Sequence, residues 1–424
     1  MRTFKAHAGV CAFATVVLCL FAPAFARAEG EAIGGSTPET PITESGSGSA
    51  IGLGNFSRFP LNISASVHGG YDNNVSNTDA LKEESWFTTI GVLVGYEMGN
   101  ARTKLTLSST FGFTYYTNVS DNALEPNLNL ALTLVHHLSP RLSLEFAGSA
   151  AYQTEPDFQY GLSTNRRAGN YFFTSDKLSA SYAWAPRFAT ATSYSIAAVK
   201  YDDSAAGMFE DRIENTFGNE FRFLMWPTTN LIAEYRFQFV NYAHINRDST
   251  THYLLGGFDH AFNPRLSADL RGGAEFRNYE ETGAQNSPYF ESSVTYRLGK
   301  DTSVVWETRY GIEEGDIVTN STRKTFRTGI QGRHNLTSRI SANLALYYTN
   351  DDYGETRVLD PATAKYVVNP EFTEDSFNID LSLRYSLTHY MGLDLGYDHT
   401  TVSSGDANRD YSRNRVWGGL SVTF

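Results

Sequence analysis

The sequence predicts an all-β chain, a transmembrane antiparallel up-and-down β-barrel of about 18 strands. Three observations carry that expectation. Apolar and polar residues alternate with period two from about Leu61 onward. Short and long connections alternate between those runs. Aromatic residues reach 14% while mean hydropathy is only −0.33. No stretch beyond the first 28 residues has the ~18 consecutive apolar residues a membrane helix needs. Many aromatics without long apolar runs suit strands with one face to lipid and the other to water.

The elements follow in order. Arg2 and Lys5 precede an apolar run from about Val10 to Phe25, and Ala26-Arg27-Ala28 is a small-x-small cleavage site. Residues 1–28 are therefore predicted to be a signal peptide and not a membrane span. Both cysteines, Cys11 and Cys19, lie in it, so the exported chain would have no disulfide. The lipoprotein alternative wants a small residue before Cys19, and Leu18 is not small. Residues 29–58 carry Gly34-Gly35-Ser36-Thr37-Pro38 and Ser45-Gly46-Ser47-Gly48-Ser49, which predicts a flexible N-terminal periplasmic segment. The barrel is predicted over 59–424.

Within it, Leu105, Leu107, Phe111, Phe113 and Tyr115 share one parity, and Lys104, Thr106, Ser108 and Thr110 the other. Leu128 to Leu134 and Phe377 to Tyr385 repeat the pattern. Period two places each set on one sheet face. Short turns such as Gly99-Asn100-Ala101-Arg102, Leu138-Ser139-Pro140-Arg141 and Asn263-Pro264-Arg265 separate the strands. Long loops centre near residues 78, 121, 162, 206, 247, 283, 317, 362 and 407. Eight turns and nine loops join eighteen strands and leave both ends of the barrel chain on one side. Short periplasmic turns with longer outside loops are the outer-membrane pattern.

The closing segment reads Arg415-Val416-Trp417-Gly418-Gly419-Leu420-Ser421-Val422-Thr423-Phe424. It resembles the last strand of bacterial outer-membrane barrels, in which a terminal aromatic serves as the assembly signal; Phe424 takes that place. At the other end, Gly69-Gly70-Tyr71-Asp72-Asn73-Asn74-Val75 resembles the opening of the family known as Putative beta-barrel porin 2. In that family a first strand runs into a Tyr-Asp-Asp/Asn-Asn turn, and Asn73 stands where Asp is often seen. The resemblance implies an outer-membrane barrel. Some members are associated with exopolysaccharide export.

The whole chain carries 34 basic and 46 acidic residues, for a net charge of −12. An acidic chain argues against a nucleic-acid partner. The charges also have a direction. Arg or Lys facing lipid at midplane costs roughly 2–4 kcal/mol, so the many strand charges must face a hydrated lumen. The candidate pore-lining residues are Arg222, Glu234, Arg236, Asp269, Arg271, Glu275, Arg277, Glu307, Arg309, Arg323, Arg327 and Arg384. They form either a cationic strip that steers anions or a network of Arg and Glu paired across strands. The longest loop, about Asp351 to Glu374, is the candidate constriction, through Asp351, Asp352, Glu355, Arg357 and Asp360. Deleting residues 353–368 is then expected to raise conductance. The loop around 154–169 is second.

Short turns carry Arg102, Arg141, Arg187, Arg265, Lys300 and Arg339, while long loops carry acids such as Glu210, Glu314 and Asp316. The turns would sit at anionic inner-leaflet headgroups, and the loops would hold cations shared with lipopolysaccharide; equally, both are charged because they are wet. No nucleophile elbow, phosphate loop or clustered ligand set occurs, so no enzyme, cofactor or metal is expected. The expected function is a porin-like passive channel for small polar solutes, saccharides among them. The alternatives are an outer-membrane component of polysaccharide export, or a structural or surface-binding barrel without an open pore. The expected partners are outer-membrane lipids, lipopolysaccharide and the barrel assembly machinery. A homo-oligomer stays open.

Overall fold

The computed structural model describes residues 61–119, 123–155, 169–202, 206–280, 283–299, 301–316, 323–360, 365–406 and 408–424. The predicted signal peptide and the 29–58 segment lie outside the described residues.

The strands are β1 Leu61–Asp72, β2 Ser85–Gly99, β3 Thr103–Tyr116, β4 Leu124–His137 and β5 Leu142–Gln153. They continue as β6 Tyr171–Ala185, β7 Phe188–Tyr201, β8 Arg212–Trp226, β9 Thr229–Tyr242 and β10 Ser249–Asn263. Next come β11 Leu266–Tyr279, β12 Gly283–Leu298, β13 Thr302–Glu313, β14 Arg323–Asn335 and β15 Ile340–Tyr353. The last are β16 Thr356–Asp360, β17 Lys365–Asn369, β18 Phe372–Ser386, β19 Met391–Ser404 and β20 Tyr411–Thr423. A short 3-10 helix, Ala206–Glu210, precedes β8.

Eighteen of these strands form one antiparallel sheet, each paired with the next barrel strand, so that β15 pairs with β18. β1 also pairs with β20, from Ser64↔Thr423 to Asp72↔Arg415, so the sheet closes on itself. Closure removes both edges, which is what lets a sheet exist in lipid. β16 and β17 pair only with each other and stand outside the barrel sheet.

The two faces follow the period-two reading. Val67, Phe111, Phe217, Leu254, Trp306, Leu395 and Leu420 are exposed on the outer face. Arg271, Glu275, Arg277, Thr251 and Arg413 have the opposite parity and are buried inside. In lipid the first set is solvated by acyl chains. The second must be satisfied by partners or water.

Two expectations shift. The connection near residue 283 is not long: β11 ends at Tyr279 and β12 starts at Gly283, paired to each other at that point. Gly283, which opens β12, takes a positive φ of 82° that glycine adopts without strain. The expected 351–374 loop also narrows. Asp351 and Asp352 lie in β15, opposite Glu374 and Thr373 of β18.

Two prolines sit inside strands, where they cannot donate to a ladder. Pro126 of β4 precedes the β4–β5 pairing, which starts at Asn127. Pro288 of β12 precedes the β12–β13 pairing, which starts at Phe290. Each stands where its strand has lost one neighbour.

Candidate functional site

The lumen is held by ion pairs at two levels. At mid-height, Arg236 of β9 lies 2.5 Å from Glu234 on its own strand and 2.5 Å from Glu291 of β12. Tyr289 donates its hydroxyl to the same Glu291 at 2.5 Å. Three strand spacings separate β9 from β12, roughly 14 Å of wall, so these long side chains span a good part of the interior. Arg271 of β11 gathers Asp259 at 2.9 Å, Asp269 at 3.0 Å and Glu234 at 3.8 Å. Arg222 pairs with Glu220 at 2.6 Å, and Arg384 lies 3.8 Å from Asp394. Glu307 lies on the same inward face, opposite Gly329.

At the long-loop end an arm turns into the lumen. The β12–β13 ladder stops at Phe290↔Tyr310, while β13 stays paired with β14 up to Glu313↔Arg323. The tip of β13 has therefore left the wall on one side. Its backbone finds new partners. The Glu275 carboxylate of β11 accepts the Ile312 N–H, and Arg277 donates to the Ile312 carbonyl at 3.2 Å. Gly311 makes the approach possible, because a Cβ there would lie 2.9 Å from the Tyr289 ring and 3.1 Å from Glu275.

Beyond it, Glu314 receives Arg277 at 2.5 Å and the Tyr242 hydroxyl at 2.7 Å. Arg247 donates to the Gly315 carbonyl at 2.7 Å. Asp316 reaches the other way, to Arg409 at 2.7 Å and the Tyr353 hydroxyl at 2.7 Å. Arg409 also holds Glu374 at 2.5 Å. Three residues of one arm thus tie the end of β9 to the β19–β20 loop. At the root, Glu313 is faced by Arg327 at 3.3 Å, Arg323 at 3.6 Å and Arg309 at 3.7 Å.

The second crossing is at the seam. Arg413 of β20 binds Asp72 of β1 at 2.5 Å and Glu155, just past β5, at 2.5 Å. Arg415 lies 3.3 Å from Glu155. From β5 through β4, β3, β2 and β1 to β20 the wall runs roughly 24 Å, too far for side chains to follow, so Glu155 reaches across the lumen. The opening motif serves this seam. Asp72 takes Arg413, Asn73 accepts the Asn414 N–H at 2.7 Å, and Asn74 donates to the Thr78 and Ser412 carbonyls at 3.0 Å.

These loop carboxyls do not titrate alike. Burial would raise Glu155, but Arg413 and Arg415 outweigh it and bring the carboxyl down to about 2. Burial would also raise Asp316, and Arg409 and Arg323 instead hold it well below the carboxylate range. Glu210 goes the other way. Burial and the neighbouring Asp316 charge push it up to about 7, against the pull of Arg212, Arg323 and Arg409.

Most of the candidate lining residues are therefore ion-paired on the inward face. Glu210, Glu314 and Asp316 point into the barrel. Of the expected constriction residues, Asp351 is buried against Arg323 and Thr325, at 3.7 and 2.5 Å. Asp352 is exposed on the outer face, Glu355 is exposed past the strand end, and Arg357 and Asp360 belong to the β16–β17 hairpin. The residues that cross the lumen come instead from the β13–β14 arm, Glu155 and Arg409. A glycine before a run of acids, Gly311 to Asp316, was the available sign. Phe424 is exposed, with its N–H on the Ile63 carbonyl at 2.8 Å. His136, His260 and His334 each pair with a threonine near the short turns.

A closed eighteen-stranded barrel with an apolar exterior and an ionic interior is a transmembrane β-barrel of the outer-membrane class. The family described as Putative beta-barrel porin 2 matches residues 49–424, and the chain belongs to that family. Its place is the outer membrane. Among solved structures, the chain is similar to OccAB4 of Acinetobacter baumannii at 11% identity and a TM-score of 0.43, covering 87% of this chain and 100% of that one. It is similar to OccK5 (OpdH) of Pseudomonas aeruginosa at 13% and 0.39, covering 86% and 98%. It is similar to the siderophore receptor PirA of Acinetobacter baumannii at 8% and 0.42, covering 86% and 81%. No curated protein matches it.

Proposed function

We propose that this porin-family barrel is a passive channel for small polar solutes, saccharides among them, whose long-loop mouth is closed at rest by the β13–β14 arm. The observation that carries the reading is a continuously polar, ion-paired inner face crossed at one end by Glu314, Gly315 and Asp316. A polar interior has no use in a barrel that never hydrates, and an arm laddered on one side only, with its tip held by side chains, can swing. The charge lattice would then set ion preference. The arm takes the constriction role, with the 354–371 loop second. The barrel has no catalytic role and no cofactor in this reading. Lipopolysaccharide surrounds the loop end, and assembly machinery reads Phe424.

The test is single-channel conductance of the refolded protein in a planar bilayer, beside Glu314→Gln/Asp316→Asn. Rare or small steps in the parent and frequent larger steps in the variant are expected. Silence from both, with the barrel demonstrably folded, sinks the porin reading. The second reading is an outer-membrane component of polysaccharide export, closed when isolated and opened by its partner. The same closed mouth favours it.

A further inference from the structure

The short-turn rim repeats one device around the barrel. In five turns a side-chain oxygen accepts the N–H groups of the residues two and three positions on; Thr388 does so for Tyr390 and Met391 at 3.2 and 3.1 Å, and in the other four the first of those residues is an arginine. Asn100 does so for Arg102 at 2.8 Å and Thr103 at 2.7 Å, and Ser139 for Arg141 and Leu142 at 3.2 and 3.1 Å. Asn263 does so for Arg265 and Leu266 at 2.9 and 3.1 Å, and Thr337 for Arg339 and Ile340 at 3.2 and 3.0 Å. The same arginine carbonyls each accept the N–H that closes the next ladder. These are Arg102 from His137, Arg141 from Ala183, Arg265 from Arg297 and Arg339 from Ser386, at 2.7–2.8 Å. Arg187, in a turn without the cap, accepts from Leu224 at 2.9 Å.

Five arginines thus occupy one equivalent position, four of them with the backbone pinned on both sides and Arg187 through its carbonyl. The remaining turns place Thr228, Asp301 and Tyr390 there, each accepting a closing N–H in the same way. None of the five arginines forms an ion pair among the described residues, although the lumen arginines nearly all do. Arg141, Arg187, Arg265 and Arg339 are exposed and Arg102 half-buried. Turns two strands apart stand roughly 10 Å apart along the rim, so each guanidinium can take its own anion.

Two further observations fix the depth. Trp184 and Trp226, exposed by 59% and 57%, flank the Arg187 and Thr228 turns on the outer face, as interfacial girdles do. His136, His260 and His334 lie on that same outer face at the strand ends, each with Nδ1 within 2.8 Å of a threonine hydroxyl. The apolar band stops there, and the arginines lie one residue beyond it.

We infer that this ring binds the phosphates of anionic phospholipids in the inner leaflet, one headgroup per arginine. The planar fork of arginine matches phosphate in two-point contact, where lysine offers a point charge. The ring would anchor the barrel's depth at the face where lipopolysaccharide is absent.

The experiment compares the refolded full chain with R102Q/R141Q/R187Q/R265Q/R339Q in phosphatidylcholine vesicles with and without phosphatidylglycerol. Lipid retained on the detergent-extracted barrel is counted by native mass spectrometry, and heat-modifiable gel mobility confirms folding. The parent is expected to retain phosphatidylglycerol selectively. Binding should weaken about fivefold for each arginine removed. Should the fivefold variant not fold, R141Q and R187Q are read singly, since each changes one turn. The five Arg→Lys changes should keep charge attraction but lose part of the selectivity. Equal phosphatidylglycerol retention by parent and glutamine variants overturns the inference. So does ring-dependent binding to peptidoglycan sacculi without any lipid preference.

Discussion

Arg413 shows what a single side chain does here. It is 5% exposed and shared by Asp72 and Glu155, and so joins the first strand, the last strand and the far wall. A buried pair adds little net stability, but removing one partner leaves an uncompensated charge. Arg413→Gln is therefore expected to cost about 3–5 kcal/mol, read from the urea midpoint of the refolded barrel. Glu210 is the opposite case. Its carboxyl is raised from 4.5 to about 7, so the folded state keeps a proton there that the unfolded chain loses between those values. Stability is therefore lost as pH rises from 4.5 through about 7, and the ionised carboxylate sets a second negative charge against Asp316. Glu155 is depressed to about 2, so its contribution is whole above its ordinary value and vanishes as pH falls toward about 2. The closed mouth should accordingly be most populated near pH 4.5 and open increasingly as pH rises through about 7. Channel recordings across pH check this, and Glu210→Gln should flatten the alkaline limb. An unchanged limb removes Glu210 from the gate.

The arm is the element whose design departs from a plain barrel. Pro288 denies β12 a ladder donor just before its pairing with β13 begins, and Gly311 lets β13 lean over Tyr289. Glu275 and Arg277 then replace the lost strand neighbour with side-chain bonds. Gly311→Val should push the arm back toward the wall and raise conductance severalfold, with the barrel still heat-modifiable. Conductance at the parent level would mean that the arm does not limit flow. Little of this could be read from the chain. Alternation fixes which residues share a face, and Arg236, Arg271 and Arg277 lie on the polar one. It says nothing of which carboxylate each arginine meets, because those partners range from the same strand to three strands away. Loop length also misled: within the long Asp351–Glu374 segment β16 and β17 pair with each other, whereas residues 314–316 carry the crossing.

At the scale of the molecule, strand number and closure were legible because they rest on local facts, period two and turn chemistry. The lumen's state was not, because it depends on pairs meeting across open space. Those pairs mostly share one low-exposure interior, so added salt should screen them less than surface pairs. Parent conductance should then rise with salt no faster than bulk conductivity, measured from dilute to concentrated potassium chloride. A steeper rise would indicate a latch loosened by screening.

The closure between β1 and β20 has one more consequence, for the order in which the barrel is made. Every other ladder joins successive barrel strands, so a growing sheet can add hairpins by short-range steps. Only the final pairing brings together residues as remote as Asp72 and Arg415. The entropy of that long loop grows only slowly with its length, but the encounter is the one non-local event in the topology. Until it happens the sheet has two bare margins, both able to recruit a foreign strand. Asp72, Asn73 and Arg413 lie at that meeting point, and they make the ring's last step a recognition between two matched edges.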